Sequence, residues 1–558
     1  MAPTGTDVTD LDTLTRLARR WRDDDPDPMA RAELDALLGD LPGSAADVAD
    51  RFAGPLTFGT AGLRGPLRAG PNGMNLAVVT GAAAGLVAWL TARAATGPLV
   101  IGYDARHGSA AFAERTARVA TGAGLRALVL PGPLPTPVLA YAVRALDAAA
   151  GVMVTASHNP PGDNGYKVYL GAALGGDTGA GAQLVAPADA EIEAAIRAVG
   201  PLRDVPLGDP GEELGGDVVA GYVARAAAVV DRDGPRELTV AYTPLHGVAG
   251  AVLAAAFARA GFAAPVVVPE QAAPDPDFPT VAFPNPEEPG AMDRALALAE
   301  ATGADLALAN DPDGDRCAVA VPAGGGRWRT LRGDELGVLL ADHLMRRGAR
   351  GLYATTIVSS SLLRAMCAAR GRPYAETLTG FKWIVRATGA APLAFGYEEA
   401  LGYCAAPELV RDKDGITAAL LVAELAAGLR AELRTLADRL DELAAEFGVH
   451  ATDQLAVRVD DLADIGAAMA RLRARPPAEL LDEPVGSVDD LLPGADVVIL
   501  RTPSARVVVR PSGTEPKLKA YLEVVEPVAD GDVPAARERA NASVRALRTE
   551  TAAALGIW

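Results

Sequence analysis

The stretch Gly151-Val152-Met153-Val154-Thr155-Ala156-Ser157-His158-Asn159-Pro160 combines a strand signal with a polar loop. Its first four residues form a short apolar run, which is typical of a buried strand. The turn-forming segment 160–165 follows at once, so the chain must fold back around Ser157. Lys167 comes after the turn and returns a positive charge toward the serine. The pattern predicts a hydroxyl presented by a loop, with an ordinary polar turn as the alternative.

A second loop carries three aspartates at alternate positions. Its sequence is Asn310-Asp311-Pro312-Asp313-Gly314-Asp315-Arg316, and it follows the strand-like segment 304–309. Three carboxylates so close repel one another unless a cation neutralises them, and hard oxygen ligands favour Mg²⁺, Mn²⁺ or Ca²⁺ over Zn²⁺. An EF-hand would need glycine at Arg316 and glutamate at Pro322, so that kind of site is excluded. The loop predicts a divalent-cation site, with a solvated acidic turn as the alternative. The three expected ligands are Asp311, Asp313 and Asp315.

A third loop has the composition of an anion-binding site. It is Arg510-Pro511-Ser512-Gly513-Thr514-Glu515-Pro516-Lys517, and it lies between the strand-like segments 507–509 and 518–522. A glycine flanked by hydroxyl residues lets backbone NH groups converge on an anion, while a guanidinium can bind phosphate through two hydrogen bonds. The loop lacks the spacing of a P-loop. It predicts a phosphate-binding loop, with a plain hairpin turn as the alternative.

Together, a presented serine, a divalent-cation site and a separate phosphate-binding loop indicate phosphoryl transfer through a phosphoserine. The chain of 558 residues has 52 basic and 71 acidic side chains, a formal net charge of −19, which argues against a general nucleic-acid role. Its three cysteines are too few for a disulfide framework, and the N-terminus has no signal-peptide pattern. The uncharged stretch 76–92 is alanine-rich and predicts a buried helix, not a membrane span. We therefore expect a cytoplasmic enzyme.

Apolar strands alternate with alanine-rich helical stretches along most of the chain, which predicts an α/β fold with mixed or parallel sheets flanked by helices. Strands are expected at 99–102, 127–130, 151–154, 238–241 and 266–268. Leu14, Leu17 and Trp21 at helical spacing predict an N-terminal helix, and a long helix is expected over about 418–447. After that helix, Leu455, Val457 and Val459 alternate as in a half-buried strand, which indicates a smaller α+β domain.

The three loops also occur in the order seen in the α-D-phosphohexomutase superfamily, the phosphoglucomutases and phosphomannomutases, which this chain resembles from about Phe58 nearly to its end. Two further segments support the resemblance, Phe58-Gly59-Thr60-Ala61-Gly62-Leu63-Arg64-Gly65 and Gly396-Tyr397-Glu398-Glu399-Ala400-Leu401-Gly402-Tyr403. The phosphoglucomutase and phosphopentomutase branch is the most similar. That placement uses the segments 285–290, 377–382 and 412–415.

The resemblance implies three similar α/β domains and a C-terminal α+β domain around a central cleft. The expected boundaries are a helical extension at 1–45, a phosphoserine domain at 46–208, a metal-loop domain at 209–328, a sugar-specificity domain at 329–447 and a phosphate-binding domain at 448–558.

The resemblance also implies roles for individual residues. Ser157 would be the phosphorylated residue and would complete the metal shell of the three aspartates. Arg64 and Arg316 match arginines near the transferring phosphate. Candidates for moving protons are His158, Lys167 and Lys413. Glu398 matches the glutamate that holds sugar hydroxyls, and Glu399 beside it either contacts the sugar or balances the charge of Lys413. The grip on the phosphate that is not transferred is expected from Arg510, Ser512, Gly513, Thr514 and Lys519.

The implied reaction interconverts a hexose 1-phosphate and a hexose 6-phosphate through a bisphosphate intermediate, with one Mg²⁺ per chain and a sugar bisphosphate as activator. Glucose is the expected sugar, mannose the second choice and ribose or deoxyribose the third. Ala400 stands where many relatives have a serine, which removes one sugar contact and leaves the identity of the sugar open. We expect a monomer or homodimer that binds small sugar phosphates, without nucleic-acid or membrane partners. The alternatives are a metal-dependent phosphatase and a non-catalytic sugar-phosphate sensor. A serine hydrolase is disfavoured because no Gly-x-Ser-x-Gly elbow surrounds Ser157.

Overall fold

The structure is a computed structural model that describes residues 11–58, 62–389, 391–459, 462–512 and 517–556. By its internal contacts the chain forms two units. The first comprises Met1–Thr330 and Gly402–Glu424, and the second comprises Leu331–Leu401 and Leu425–Trp558. Each unit contains two main sheets flanked by helices, which agrees with the predicted fold class. None of the helices in the described ranges is long and apolar enough to cross a membrane.

The N-terminal extension is helical, as predicted. Its helices are α1 (Leu11–Asp24), α2 (Pro28–Gly39) and α3 (Ala45–Arg51). They enclose a small apolar core in which Leu14 and Ala18 are buried, and the ring of Trp21 meets Phe52 edge-on. Leu17, which was expected on the inner face, is 43% exposed. The inner face therefore follows the i, i+4 spacing from Leu14 to Ala18, so the spacing predicted the helix but misassigned one residue of its buried face.

The first sheet contains the predicted strands near residues 99, 127 and 151. Its members are β1 (Leu63–Pro66), β2 (Leu99–Tyr103), β3 (Ala127–Val129), β4 (Ala150–Val154), β5 (Asp163–Leu170), β6 (Ala182–Gln183) and β7 (Glu212–Glu213). The order is β1-β5-β4-β2-β3-β7, with β6 paired to β5. The pairs β4–β2, β2–β3 and β3–β7 are parallel, whereas β5 is antiparallel to β4, β1 and β6. The strand β4 thus lies inside the sheet.

Helices cover this sheet on both faces. They are α4 (Leu76–Ala92), α5 (Ser109–Gly122), α6 (Thr136–Ala145), α7 (Ala172–Gly179) and α8 (Ala188–Arg197). The helix α4 is the buried helix predicted from the uncharged stretch, and Asn75 caps it by accepting a hydrogen bond from the Val78 NH. On the other face α6 approaches closely. A Cβ at Gly151 would lie 2.3 Å from Val143 Cγ2, so only glycine permits this contact.

The second sheet also belongs to the first unit. The elements of this region are α9 (Asp217–Ala226), β8 (Val240–Thr243), α10 (Gly250–Arg259), β9 (Val266–Val267), α11 (Asp293–Thr302), β10 (Leu306–Ala309), β11 (Ala318–Pro322) and β12 (Trp328–Thr330). The strand order is β12-β11-β10-β8-β9, with β9, β8 and β10 parallel and the other pairs antiparallel. The strand expected at 238–241 begins two residues later, at Val240. The strand β10 occupies an internal position like that of β4.

The next part of the chain begins the second unit. Its elements are α12 (Gly333–Arg346), β13 (Leu352–Thr356), α13 (Leu362–Ala369), β14 (Tyr374–Thr377), α14 (Phe381–Ile384), β15 (Leu393–Glu398), β16 (Gly402–Cys404), α15 (Gly415–Ala431) and α16 (Leu436–Phe447). Within the second unit, β14 and β15 pair in parallel with β13. The strand β16 and the start of α15 lie in the segment Gly402–Glu424 of the first unit.

The single helix expected over 418–447 is wrong, because the structure has two helices there. Leu433 adopts a left-handed conformation with φ of 59° and is 96% exposed, which ends the first helix. Thr435 then starts the second helix with a capping box, in which its hydroxyl accepts from the Asp438 NH and the Asp438 carboxylate accepts from the Thr435 NH. The sequence Thr-x-x-Asp carried this signal.

The C-terminal region has the predicted α+β character. Its elements are β17 (Val449–Arg458), α17 (Leu462–Ala474), β18 (Glu479–Leu480), β19 (Glu483–Pro484), β20 (Ser487–Asp490), β21 (Val498–Arg501), β22 (Ala505–Pro511), β23 (Lys517–Glu526) and α18 (Val533–Leu555). The antiparallel order is β17-β23-β22-β21-β20, with β18 and β19 as a separate small hairpin. The helices α17 and α18 pack against this sheet through an apolar core.

Candidate active site

The presented serine and the aspartate loop meet inside the first unit. Ser157 lies three residues after β4 and Asp311 two residues after β10, so both follow the carboxyl ends of internal parallel strands, where α/β sheets bind ligands. Ser157 has a left-handed backbone with φ of 53°, and its Oγ donates a hydrogen bond of 2.8 Å to Asp311 Oδ2. The two loops, separated by more than 150 residues in sequence, therefore share one site.

The three aspartates form a site that fits a divalent cation. One carboxylate oxygen from each of Asp311, Asp313 and Asp315 lies within 4.8 Å of the others, and all three residues are fully buried. In the part of the chain that the structure describes, Asp313 Oδ1 and Asp315 Oδ1 are buried and accept no hydrogen bond. Buried carboxylate oxygens without partners are costly, and a hard cation supplies the missing interaction.

Two lysines contribute the positive charge that this cluster needs. Lys167 Nζ lies 2.7 Å from Asp313 Oδ2 and 3.1 Å from Asp315 Oδ2, and Lys413 Nζ lies 3.2 Å from Asp315 Oδ2. Burial alone would raise the pKa of Asp313, but the Lys167 ammonium and its hydrogen bond hold that pKa below the usual value. Burial and the two neighbouring carboxylates raise the pKa of Asp311. The sequence-predicted Lys167 and Lys413 are thus both part of the site.

The predicted arginines and the histidine lie beside the same cluster. Arg64 Nη1 donates to Asn159 Oδ1 at 3.1 Å, and the backbone NH of Arg316 donates to Asp311 Oδ1 at 3.0 Å. His158 Nδ1 is 3.3 Å from Ser157 Oγ. Burial and the charges of Arg316 and Arg64 hold the pKa of His158 well below its usual value, so the ring is neutral. The site therefore combines fixed cations with a neutral imidazole next to the hydroxyl.

The aspartate loop is held in place by contacts with the first sheet's loops. Thr136, at the start of α6, donates through Oγ1 to Asp313 Oδ2 at 2.7 Å and through its backbone NH to the Asp313 carbonyl at 2.9 Å. Gly314 has φ of 70°, and a Cβ there would lie 2.9 Å from Ala249 and 3.1 Å from Pro135. A side chain at Gly314 would therefore push the loop away from Thr136.

Arg106 is a site residue to which the sequence assigned no role. Its guanidinium is buried and donates to the backbone carbonyls of Ser157 (2.7 Å) and Asn159 (2.5 Å). It also donates to the carbonyls of Pro160 (2.7 Å) and Asp163 (3.2 Å). These four bonds fasten the whole loop around the serine. They go to backbone atoms, so no residue pattern in the loop could have indicated them.

Two other groups hold Arg106 itself. Its Nε lies 3.4 Å from Asp104 Oδ2, and its guanidinium lies over the ring of Phe278 at 4.9 Å from the ring centre. Phe278 belongs to the second-sheet region and has a left-handed φ of 45°. A cation over an aromatic face is favourable when it is desolvated. The serine loop is therefore supported from both regions of the first unit.

The turn that presents Lys413 is also built from buried hydrogen bonds. Asp412 Oδ2 accepts from the Tyr169 hydroxyl at 2.7 Å and from Gln183 Nε2 at 2.8 Å. Asp414 Oδ1 accepts from the Tyr222 hydroxyl at 2.8 Å and from backbone NH groups at the start of α15. All of these side chains are buried. The acidic residues on both sides of Lys413 thus fix its position.

The other predicted residues belong to the second unit. Glu398 ends β15 and is half-buried. The carboxylate of the neighbouring Glu399 accepts hydrogen bonds from the hydroxyls of Ser359 (3.2 Å) and Thr356 (3.3 Å). Arg510 and Lys519 are half-buried cross-strand partners on β22 and β23, and Ser512 follows β22. The remaining two residues of the predicted phosphate grip, Gly513 and Thr514, lie outside the described residues.

The sequence matches family models over most of its length. They are the models of the phosphoglucomutase/phosphomannomutase α/β/α domain I at residues 55–200, domain II at 220–325, domain III at 332–447 and the C-terminal domain at 455–540.

Three relatives illustrate the match. A protein of Haemophilus influenzae named probable phosphomannomutase is 44% identical over 81% of this chain and 93% of its own. A phosphopentomutase of Mus musculus is 32% identical over 94% of this chain and 91% of its own. A phosphoglucomutase of Staphylococcus aureus is 31% identical over 86% of this chain and 92% of its own. These matches confirm the resemblance seen in the loop sequences. The chain therefore belongs to the α-D-phosphohexomutase superfamily and is a phosphosugar mutase, an isomerase.

Proposed function

We propose that this protein interconverts an α-D-hexose 1-phosphate and the corresponding 6-phosphate, with glucose as the preferred sugar, through a phosphoryl group carried by Ser157. The observation that carries the proposal is the hydrogen bond from Ser157 Oγ to Asp311, which places the hydroxyl against the three-aspartate cluster. A hydroxyl at the edge of a cation site, ringed by arginine and lysine, suits transfer of a dianionic group.

In the first half-reaction, the bond between Ser157 Oγ and phosphorus breaks while a sugar hydroxyl oxygen bonds to the phosphorus. The proton of that hydroxyl passes to a base, for which neutral His158 is the candidate. The leaving Ser157 Oγ takes up a proton from an acid, for which the ammonium groups of Lys167 and Lys413 are the candidates. Mg²⁺ held by the three aspartates would neutralise charge on the transferring group and orient it. The product is a sugar bisphosphate. In the second half-reaction its other phosphoryl group moves to Ser157, so the phosphate has changed position on the sugar.

The other predicted site residues also have roles in this reaction. Arg64, with its guanidinium on the serine loop, and Arg316, with its guanidinium beside the aspartate loop, stabilise charge on the transferring phosphoryl group. Arg510, Ser512, Gly513, Thr514 and Lys519 bind the phosphate that is not transferred. Glu398 accepts hydrogen bonds from sugar hydroxyls, and Glu399 supports it. A sugar bisphosphate would serve as activator, because it restores the phosphorylated serine whenever the intermediate escapes.

Support for a hexose comes from the family itself and from the similar Staphylococcus aureus phosphoglucomutase. Mannose is the second candidate, supported by the similar Haemophilus influenzae protein named probable phosphomannomutase. A pentose 1-phosphate is the third candidate, and two observations favour it. The similar mouse protein is a phosphopentomutase. In addition, Ala400 offers no hydroxyl to a sugar, and the Glu399 carboxylate already accepts hydrogen bonds from the hydroxyls of Thr356 and Ser359. Three buried cysteines without disulfides agree with a cytoplasmic enzyme.

The test is to measure kcat/KM for glucose, mannose and ribose 1-phosphates, with Mg²⁺ and a trace of the matching bisphosphate. We expect isomerisation of all three at unequal rates, with glucose fastest. Ser157→Ala should isomerise none, and the phosphoryl group that mass spectrometry finds on the wild-type serine should be missing. Release of inorganic phosphate in place of an isomer would instead indicate a phosphatase. Normal turnover by Ser157→Ala would refute the phosphoserine.

A further inference from the structure

The two strands that flank the predicted phosphate-binding loop carry two cross-strand pairs of charged residues. In the register of β22 and β23, Arg510 is opposite Lys519, and four residues away Arg506 is opposite Glu523. Residues four apart on a strand lie on the same face. One face of this hairpin therefore has the two phosphate-binding cations near the loop and the Arg506–Glu523 pair farther from it.

The Arg506–Glu523 pair binds a segment from the sugar-specificity region. Arg506 Nη2 lies 2.9 Å from Glu523 Oε2, and the Glu523 side chain is 4% exposed. The other carboxylate oxygen of Glu523 accepts from Ser360 Oγ at 2.8 Å and from the Ser361 NH at 2.7 Å. Arg506 also donates to the carbonyls of two residues of this segment, Ile357 and Ser359. The hairpin is thus anchored to residues 357–361, which follow β13.

The same segment also forms hydrogen bonds with the sugar-binding loop, which carries the predicted sugar-binding residues Glu398 and Glu399. Ser359 Oγ donates to Glu399 Oε2 at 3.2 Å and accepts from the Glu399 NH, also at 3.2 Å. Glu399 directly follows Glu398, the proposed sugar ligand. Hydrogen bonds therefore connect Glu523 to residues 360 and 361 and connect the adjacent Ser359 to the sugar-binding loop, so the segment 357–361 links the two.

Packing and electrostatics both make this link rigid. Between the two charged pairs, Val508 and Tyr521 pack against Val358 in a small apolar cluster. Burial would raise the pKa of Glu523, but the Arg506 charge and hydrogen bonds from His450 and the Ser361 NH lower it to about 2. The carboxylate is therefore ionised at neutral pH. A buried charge that loses one partner is strongly unfavourable, so the anchor resists opening.

We propose that Arg506 and Glu523 are specificity-determining positioning residues, which fix the separation between the phosphate-binding cations and the sugar-binding carboxylates of the second unit. The inference rests on the proposed function. A phosphate and the sugar hydroxyls lie at different separations in a hexose phosphate and in a pentose phosphate. A rigid separation therefore accepts one class of sugar better than the other, whereas a loosened one discriminates less.

The first test variant is Glu523→Gln, which keeps the shape and one acceptor oxygen but sets an amide donor against the guanidinium of Arg506. The second is Ser359→Ala, which leaves the ion pair intact and removes only the hydroxyl that reaches Glu399. The matched control is Asp489→Asn, which breaks an exposed ion pair with Arg501 on the same sheet. Each variant is assayed for KM and kcat on glucose and ribose 1-phosphates. Its dissociation constant for inorganic phosphate is measured without Mg²⁺, with Arg510→Ala as the comparison.

For Glu523→Gln and Ser359→Ala we expect KM for the preferred sugar phosphate to rise about tenfold with kcat changed less, and the ratio of the two kcat/KM values to fall about fivefold. The dissociation constant for inorganic phosphate should stay within about twofold of wild type, whereas Arg510→Ala should weaken it. A wild type that isomerises no sugar phosphate would refute the proposed function itself. If the wild type is active, three results would each overturn the positioning role. The first is a ratio of the two kcat/KM values that stays at the wild-type value in both Glu523→Gln and Ser359→Ala. The second is a dissociation constant for inorganic phosphate that rises in these variants as much as KM does. The third is that Asp489→Asn shows the same changes in KM and in the ratio.

Discussion

Nη2 of Arg106 donates a hydrogen bond of 2.7 Å to the backbone carbonyl of Ser157. The serine has a left-handed backbone, which costs a non-glycine residue on the order of 1 kcal/mol. Arg106 compensates for this cost by binding four carbonyl groups of the loop at once. The hydroxyl therefore points at Asp311 because a buried guanidinium holds the backbone beneath it.

Arg106→Lys should lower kcat by about 100-fold. One ammonium group cannot replace the four hydrogen bonds that the planar guanidinium donates, and a small displacement of the serine hydroxyl slows the reaction strongly. KM for the sugar phosphate should change little. The occupancy of phosphoserine, measured by mass spectrometry, should fall. Arg118→Lys is the control, since Arg118 forms an exposed ion pair with Glu114 on α5. Equal losses of kcat in both variants would contradict the positioning of Ser157 by Arg106.

Mg²⁺ should raise the melting temperature of the wild-type protein, because it binds folded aspartates that are otherwise only partly neutralised. Asp313→Asn should abolish most of that increase and lower activity together with it, since Asp313 has one oxygen on Lys167 and one without a hydrogen-bond partner in the described structure. Thermal unfolding with and without Mg²⁺ measures the effect independently of turnover. The control is Asp177→Asn, which changes an exposed carboxylate of the first unit. A metal response that survives in Asp313→Asn would place the ligands elsewhere.

The loops that carry the proposed chemistry could be predicted because their signals are local. Ser157 and the three aspartates stand in short motifs at the ends of apolar strands, and those motifs hold the residue types that phosphoryl transfer requires. The strands themselves were predictable from runs of apolar residues, with errors of about two residues at their ends.

The supporting contacts could not be predicted, because they join residues far apart in sequence. Arg106 binds backbone atoms about fifty positions away, and backbone acceptors leave no trace in residue identity. Tyr222 and Asp414 are separated by 192 residues. The sequence contains the capping box that starts α16, but the apolar residues on both sides of it continue a helical pattern, which favoured a single long helix.

Tyr169→Phe should lower kcat about three- to tenfold by releasing Asp412 and so loosening the turn that presents Lys413. The decisive measurement is a double-mutant cycle with Lys413→Ala. If Tyr169 acts through Lys413, its removal should have almost no further effect on kcat once the lysine is gone. Tyr353→Phe removes a hydroxyl that donates to the Ala349 carbonyl in the second unit, and it serves as the control. Additive effects of Tyr169→Phe and Lys413→Ala would show that the tyrosine acts by another route.

The stability of the second unit should depend on the protonation of Asp334. Burial, with smaller contributions from Glu399 and Glu523, raises its pKa to about 7. The folded state therefore holds a proton that the unfolded state releases near pH 4, so this carboxyl destabilises the fold progressively as pH rises from about 4 to about 7. Its Oδ1 accepts from the Ser360 NH at 2.7 Å and from the Tyr397 hydroxyl at 3.2 Å, bonds that an asparagine oxygen can keep.

Asp334→Asn mimics the protonated carboxyl, and it should therefore unfold at a higher temperature than wild type at pH 8 and at nearly the same temperature at about pH 4. The gain at pH 8 should be on the order of 1–4 kcal/mol. Thermal unfolding at constant ionic strength measures both values. The exposed Asp489→Asn should show no such difference between the two pH values. A variant less stable than wild type at pH 8 would mean that the charged form of Asp334 is the one the fold requires, and that its neighbours stabilise the charge more than burial opposes it.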